Sequence, residues 1–97
     1  MKLGGGMMKY FAVFLPMRDE QKSRDFRPQH LEFLKEGRDE GSILMNGRFV
    51  DGTGGLVIYK GESLDAVERK VKSDPYIVNG ARDYVLHEWE MESNLDF

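Results

Sequence analysis

The sequence predicts a single α+β domain with four β-strands and two helices in the order βαββαβ. Short runs of aromatic and aliphatic residues alternate with two longer segments that carry apolar residues at helical spacing. Glycine and proline separate these segments, and the length of 97 residues suits one domain. This order predicts an antiparallel four-stranded sheet with both helices on one face, the ferredoxin-like arrangement.

The first half of the chain supplies one strand and one helix. The apolar run 9–17 predicts a strand that is apolar on both faces. Segment 18–27 is crowded with charge and has one apolar residue, Phe26, so it is predicted to be a solvated loop. Pro28 suits the first turn of a helix, and Gly41 predicts its end. The residues predicted to share the inward face of this helix are His30, Leu31, Phe33, Leu34 and Gly37.

The second half of the chain supplies a hairpin, a helix and a last strand. Residues 43–50 and 56–60 are apolar-rich and flank a glycine-rich turn, which predicts a hairpin. Ser63 predicts the N-cap of the second helix, and Pro75 predicts its end because the residue before proline is pushed out of the helical region. The alternation over 84–91 predicts the last strand.

The predicted sheet has a second face that a chain of this length cannot cover. The first strand is apolar on both sides, and the last strand carries Trp89 and Met91 on the face opposite Leu86. We therefore expect a homodimer whose sheets pack face to face. Whether such dimers assemble further is left open.

Composition excludes several classes of function. The formal net charge of −3 argues against nucleic acid and anionic membrane surfaces as partners. The absence of cysteine excludes disulfides, zinc–thiolate sites and a thiol nucleophile, and the expected compartment is the cytoplasm. Two histidines at unrelated positions make a weak case for a metal, and we expect no metal or cofactor.

The N-terminal residues 1–7 are predicted to be a flexible segment, because three consecutive glycines occur within them. They contain no apolar stretch long enough for a signal sequence or a membrane span. The single predicted domain therefore covers 8–97.

His30 and Asp74 are the strongest candidates for chemistry. His30 falls in the first turn of the first helix, where the helix dipole favours bound anions and a neutral imidazole can serve as a general base. In this fold the start of the first helix lies near the end of the second, where Asp74 stands, so the two side chains are expected to meet. The alternatives are a structural histidine with one hydrogen bond and a loop aspartate that turns the chain before Pro75.

Two further residues are candidates for substrate binding. Tyr76 could offer its phenol to the same pocket, although an aromatic residue after a helix more often serves packing. Arg27 stands at the helix start and could bind a carboxylate, or it could be a solvated arginine. No pattern in the sequence marks a serine nucleophile that would complete a hydrolytic triad, and this favours proton transfer over hydrolysis.

Three segments together resemble the YCII-related domain family. These are Arg27-Pro28-Gln29-His30, Asn46-Gly47-Arg48-Phe49 and Asp74-Pro75-Tyr76, which match the family's R-P-x-H, G-x-F and D-P-Y motifs in order. The resemblance implies a ferredoxin-like fold that dimerises into an α+β barrel, with a site at His30 and Asp74. Arg48 stands where the family commonly has proline. It makes this strand more basic and favours an anionic ligand.

These observations support one function and two alternatives. The first is a proton-transfer enzyme of the isomerase or lyase type, acting on a small anionic ring or lactone-like compound, as the resemblance implies for family members with assigned chemistry. The second is a non-catalytic dimeric module that binds a metabolite or has a stabilising role. The third is a monooxygenase, either cofactor-free or with His30 as a haem ligand.

Overall fold

The computed structural model describes residues 8–96. The N-terminal segment 1–7, predicted to be flexible, lies outside the described residues, as does Phe97. The strands are β1 (Lys9–Pro16), β2 (Ile43–Arg48), β3 (Gly54–Gly61) and β4 (Val85–Trp89). The helices are α1 (Glu20–Asp25), α2 (Arg27–Glu40), α3 (Leu64–Lys72) and α4 (Pro75–Val78).

The four strands form one sheet in the order β2-β3-β1-β4, and all neighbours are antiparallel. β3 lies between β1 and β2, which is the split arrangement expected for βαββαβ. The predicted ferredoxin-like α+β class is confirmed. In the described part of the chain, no helix has the length and apolar character needed to cross a bilayer.

The core lies between the sheet and the helices. Along β1 the side chains alternate, so that Phe11, Val13 and Leu15 are buried while the residues between them are only partly buried. The buried set continues through the other elements with Leu34, Ile43, Val57, Tyr59, Val67 and Val71. The helices thus cover one face of the sheet, as the sequence predicted.

The charged segment 18–27 contains a helix, so its prediction as a solvated loop was wrong. Asp19 caps α1 by accepting a hydrogen bond from the Lys22 backbone N–H at 2.9 Å. Ser23 is buried, and its hydroxyl donates to the Ala81 carbonyl at 3.3 Å. A helix this short needs only a cap and one small buried side chain, and the segment therefore lacks an apolar stripe that could reveal it.

α2 begins and ends as predicted. Pro28 stands in its first turn, and the helix ends at Gly41, whose φ of 87° is in the left-handed region that glycine adopts without strain. The buried residues are His30, Leu34 and Gly37. Leu31 was expected to be buried on that face but is 44% exposed, because it stands about 100° around the helix from His30 and lines a cavity instead of the core.

The remaining boundaries differ by a few residues from the sequence prediction. β2 ends at Arg48 and β3 already begins at Gly54, because β1 is long enough to pair Pro16 with Gly54. β4 covers 85–89, which is shorter than the predicted 84–91. Ser63 caps α3 as expected. The short helix α4 was not predicted; it starts directly after Asp74, whose side chain caps it.

The close approach of α2 to β2 gives a stability test at Gly37. Alanine is a better helix former than glycine by about 1 kcal/mol. A Cβ at this position would nevertheless collide with the buried Ile43 side chain, lying 2.7 Å from its Cγ1. We expect Gly37→Ala to lower the free energy of unfolding by about 1–2 kcal/mol in urea titrations. Adding Ile43→Val, which removes the crowded Cδ1, should recover part of the loss. A more stable Gly37→Ala protein would contradict this packing.

Candidate functional site

His30 and Asp74 are brought together from positions 44 residues apart in the chain. His30 projects from the start of α2, and Asp74 precedes α4. The distance from His30 Nδ1 to Asp74 Oδ1 is 2.8 Å, and both residues are buried, Asp74 to 1% exposure. The structure therefore contains a buried imidazole–carboxylate pair. Its role in chemistry stays a prediction.

The hydrogen bonds of Asp74 define which nitrogen of His30 faces outward. Asp74 Oδ1 accepts from the Tyr76 backbone N–H at 2.9 Å as well as from His30. Because a carboxylate oxygen can only accept, Nδ1 of His30 carries the hydrogen, which leaves Nε2 as the basic nitrogen of the neutral ring. Nε2 has no hydrogen-bond partner within residues 8–96, and His30 lines the cavity described below.

The second carboxylate oxygen of Asp74 is buried without a hydrogen bond. Within residues 8–96, Asp74 Oδ2 is the one buried side-chain N or O atom that lacks a partner. Both hydrogen bonds of the carboxylate therefore converge on Oδ1. Through these two hydrogen bonds the charge of Asp74 is directed at the imidazole and at the first turn of α4.

Tyr76 supports the imidazole through its ring. The two rings are stacked with centroids 3.8 Å apart and planes 10° from parallel. The Tyr76 hydroxyl donates to the Ser23 carbonyl at 2.9 Å, which ties α4 to α1. From the sequence, the phenol of Tyr76 was a candidate group for the pocket. In the structure the hydroxyl donates to the Ser23 carbonyl, and the ring of Tyr76 is the part that contacts His30.

Arg82 is a site residue that the sequence analysis missed. Its guanidinium lies over the Tyr76 ring, 4.7 Å from the centroid, and the residue is 9% exposed. Nε donates to Ser23 Oγ at 3.1 Å and Nη1 to the Leu15 carbonyl at 3.4 Å. Burial lowers the pKa of Arg82 from its ordinary value, although an arginine remains protonated at neutral pH. The local sequence gives no signal that separates Arg82 from a solvated arginine.

These residues surround a cavity of about 220 Å³ between the sheet and α2. Four of the five predicted site residues line it, and the fifth, Asp74, lies behind His30. The four are Arg27, His30, Arg48 and Tyr76. Five aliphatic residues form its apolar walls: Leu15, Leu31, Leu34, Leu56 and Val57. A small, partly apolar molecule suits a space of this volume and lining.

The cavity is positively charged. Arg27, Arg48 and Arg82 line it, and no carboxylate does. None of the ion pairs within residues 8–96 involves these three arginines. No cluster of three potential metal ligands occurs in the same part of the chain. The arrangement can bind an anion beside a basic imidazole nitrogen.

Comparisons with known proteins agree with this architecture. The chain is 29% identical over 83 residues to the uncharacterized protein YjpA of Bacillus subtilis (strain 168), covering 86% of this chain and 98% of that protein. Its fold is similar to that of 5-chloro-2-hydroxyhydroquinone dehydrochlorinase (TftG) from Burkholderia phenoliruptrix AC1100, solved in complex with 2,5-dihydroxybenzoquinone. That match has a TM-score of 0.74 and 23% identity, and it covers 90% of this chain and 99% of the other.

The family model described as the YCII-related domain matches residues 8–90. The match includes β1 through β4 and therefore both members of the imidazole–carboxylate pair. The three motifs noted in the sequence all lie within it. The chain belongs to the YCII-related domain family.

Proposed function

We propose that this protein catalyses proton transfer on a small anionic ring or lactone-like compound, with His30 as the base and Asp74 as its charged partner. The observation that carries the proposal is the 2.8 Å contact between His30 Nδ1 and the buried Asp74 carboxylate, on a ring that also lines a cavity with three arginines. A general base must reach its proton from an accessible nitrogen, and Nε2 is that nitrogen here.

In the proposed step, His30 Nε2 removes a proton from a carbon of the bound ring. The electron pair of the broken C–H bond moves into the ring and forms an enolate. Asp74 stays ionised and stabilises the imidazolium. If the imidazolium returns the proton to another atom of the ring, the result is an isomerisation. If a substituent departs with its bonding pair, the result is an elimination and the proton passes to water.

The arginines would bind the substrate and stabilise the enolate. Arg82 is held in place by two hydrogen bonds, and Arg27 and Arg48 complete the charged part of the wall. TftG is by name a dehydrochlorinase of a substituted hydroquinone, solved with a quinone ligand. A shared fold at low identity does not establish a shared reaction. Together with the charged, partly apolar cavity, it supports a ring compound as the class to test first.

The test is a panel of enol, lactone and hydroxyquinone compounds, including 2,5-dihydroxybenzoquinone, followed by NMR in D₂O. We expect one class to exchange a ring proton for deuterium or to form product. We expect His30→Ala to lower that rate by about 10²–10⁴-fold, since the base is removed. His87→Ala is the matched control, because His87 is exposed on β4. Turnover that survives His30→Ala would refute the assignment.

A non-catalytic binding module is the second candidate, and one observation favours it. The Tyr76 hydroxyl donates its hydrogen bond to the Ser23 carbonyl, so among the described residues the cavity wall offers His30 as a base and no second side chain as a separate acid. A site with a base and no separate acid can bind an anion without turnover. Binding that persists in His30→Ala, with no exchange or product in the wild type, would favour this candidate.

We also propose that a second copy of the chain covers the open face, defined as the sheet face turned away from the helices. The register places Tyr10 opposite Trp89, Ala12 opposite His87 and Phe14 opposite Val85 on this face. Trp89 and Val85 are 43% and 44% exposed. Large exposed apolar surface of this kind is typical of an interface.

We expect size-exclusion chromatography with light scattering to give a dimer at low micromolar concentration. Trp89→Glu should shift the protein to a monomer, because it places a charge in the apolar interface. Val78→Glu adds the same charge at a site that is 66% exposed on α4 and should stay dimeric. A wild-type monomer, or equal effects of both variants, would contradict the dimer.

A further inference from the structure

A second cavity, of about 250 Å³, adjoins the first. The two cavities share four wall residues, Arg27, Arg48, Tyr76 and Arg82, and are called the first and the second lobe below. The remaining walls of the second lobe come from Met17, from α1, and from the turn between β2 and β3 with the first residue of β3. His30 lines the first lobe and not the second. The second lobe therefore adjoins the cavity of the proposed base without containing the base itself.

The second lobe concentrates positive charge. It is lined by Arg24, Arg27, Arg48 and Arg82, against a single carboxylate, Glu20. Within residues 8–96, none of these four arginines forms an ion pair with a carboxylate. Arg24 donates to the Gln21 side-chain oxygen at 3.0 Å, which leaves its charge uncompensated. Like charges held close together repel, and a bound anion would offset that repulsion.

Arg82 distinguishes this lobe from a group of surface arginines, because it is buried and held in place by hydrogen bonds. The residue is 9% exposed, and its Nε and Nη1 are used by Ser23 and Leu15. Nη2 donates to no group among the described residues, while Arg82 lines both lobes. Asp74 attracts Arg82 but forms no ion pair with it, so a ligand carboxylate would supply both a directly bound counter-charge and the missing acceptor.

We propose that the second lobe is a carboxylate subsite, and that the substrate is a ring compound with a carboxylate on a short substituent. The ring occupies the first lobe beside His30, and the carboxylate lies among Arg24, Arg48 and Arg82. The placement of the ring rests on the proposed function. The added carboxylate goes beyond it, because it requires an acidic group remote from the reacting atoms. Guanidinium groups suit this partner since their paired N–H donors match the two carboxylate oxygens.

The test compares 3-(3-hydroxyphenyl)propanoate with its methyl ester by calorimetric titration at fixed ionic strength. The two probes share the ring and the substituent and differ in the carboxylate charge. We expect the acid to bind the wild type about tenfold more tightly or better, as charge-assisted hydrogen bonds to arginine require. Equal affinities, or no binding of either probe, would overturn the subsite.

Arg24→Met locates the effect, because Arg24 lines the second lobe and not the first. We expect it to reduce the acid-to-ester preference by about threefold or more. Arg69→Met is the matched control: it removes the same charge from the exposed side of α3, and the preference should persist. A preference that survives Arg24→Met, or that falls equally in both variants, would contradict the proposal. Thermal melts establish that both variants are folded.

The two proposals fail in different ways in these experiments. Affinity is measured without turnover, so the acid-to-ester preference remains if His30 is not a base. Conversely, proton exchange on the ring panel that disappears in His30→Ala, combined with equal binding of acid and ester, would keep the proposed function and remove the subsite.

Discussion

Replacing Asp74 by asparagine is expected to reduce turnover by about 10²–10³-fold while the protein stays folded. Asp74 Oδ1 accepts from both His30 Nδ1 and the Tyr76 N–H, and an amide oxygen in the same place can still accept both hydrogen bonds. The negative charge that stabilises the imidazolium is lost. We expect ¹⁵N NMR of the imidazole to show that Nδ1 keeps its hydrogen, so that the loss of activity is traced to charge and not to a changed tautomer.

The asparagine NH₂ would replace Oδ2, a buried atom that makes no hydrogen bond with any of residues 8–96. Thermal unfolding should therefore show a modest loss of stability, about 1–2 kcal/mol. Asp65→Asn is the matched control, since it removes a carboxylate from the exposed first turn of α3 and should leave turnover unchanged. Full activity in Asp74→Asn would mean that the carboxylate serves only to cap α4.

Replacing Phe11 by alanine is expected to have the largest effect on stability. Phe11 is fully buried at the centre of β1, where its backbone pairs with Tyr59 on one side and Glu88 on the other. Removing its ring leaves a cavity beneath the helices, and buried phenylalanine-to-alanine changes cost about 3–5 kcal/mol. Urea unfolding followed by circular dichroism should show this loss in the free energy of unfolding.

Phe11→Leu separates the effect of lost apolar volume from the effect of losing the aromatic ring. It keeps most of the apolar volume, and we expect it to cost less than about 1.5 kcal/mol. Both variants should be measured at one protein concentration, because a dimer makes apparent stability depend on concentration. A Phe11→Ala protein that loses less than about 1 kcal/mol would place Phe11 outside the main core.

Local patterns in the sequence were enough to predict most of the fold. Pro28 and Gly41 mark the ends of α2. Proline restricts the backbone and glycine permits the left-handed conformation, whatever the surrounding fold. The alternation along β1 gives the orientation of the sheet, because period-two burial needs no knowledge of the partner strands. α1 escaped prediction, since what holds it is one cap and one buried serine whose hydroxyl reaches Ala81, 58 residues later in the chain.

The candidate site, too, could be predicted from the sequence only in part. The fold order together with the positions of His30 and Asp74 predicts that the two side chains lie close, because the ends of the two helices that carry them meet. The role of Tyr76 differs from the simplest expectation: its hydroxyl is taken up by Ser23, and its ring stacks on His30. No short-range pattern encodes that choice, which depends on a contact spanning 53 residues.

The α+β order of elements, the inward face of β1 and the closeness of His30 to Asp74 can be predicted from the sequence, because each follows from local periodicity or from the topology of βαββαβ. The burial of Arg82 over Tyr76 and the two adjoining cavities with their four common wall residues could not be predicted in this way. Burial and cavity shape arise where elements distant in the chain pack together, and the energy of an ionisable side chain there depends on all of them at once.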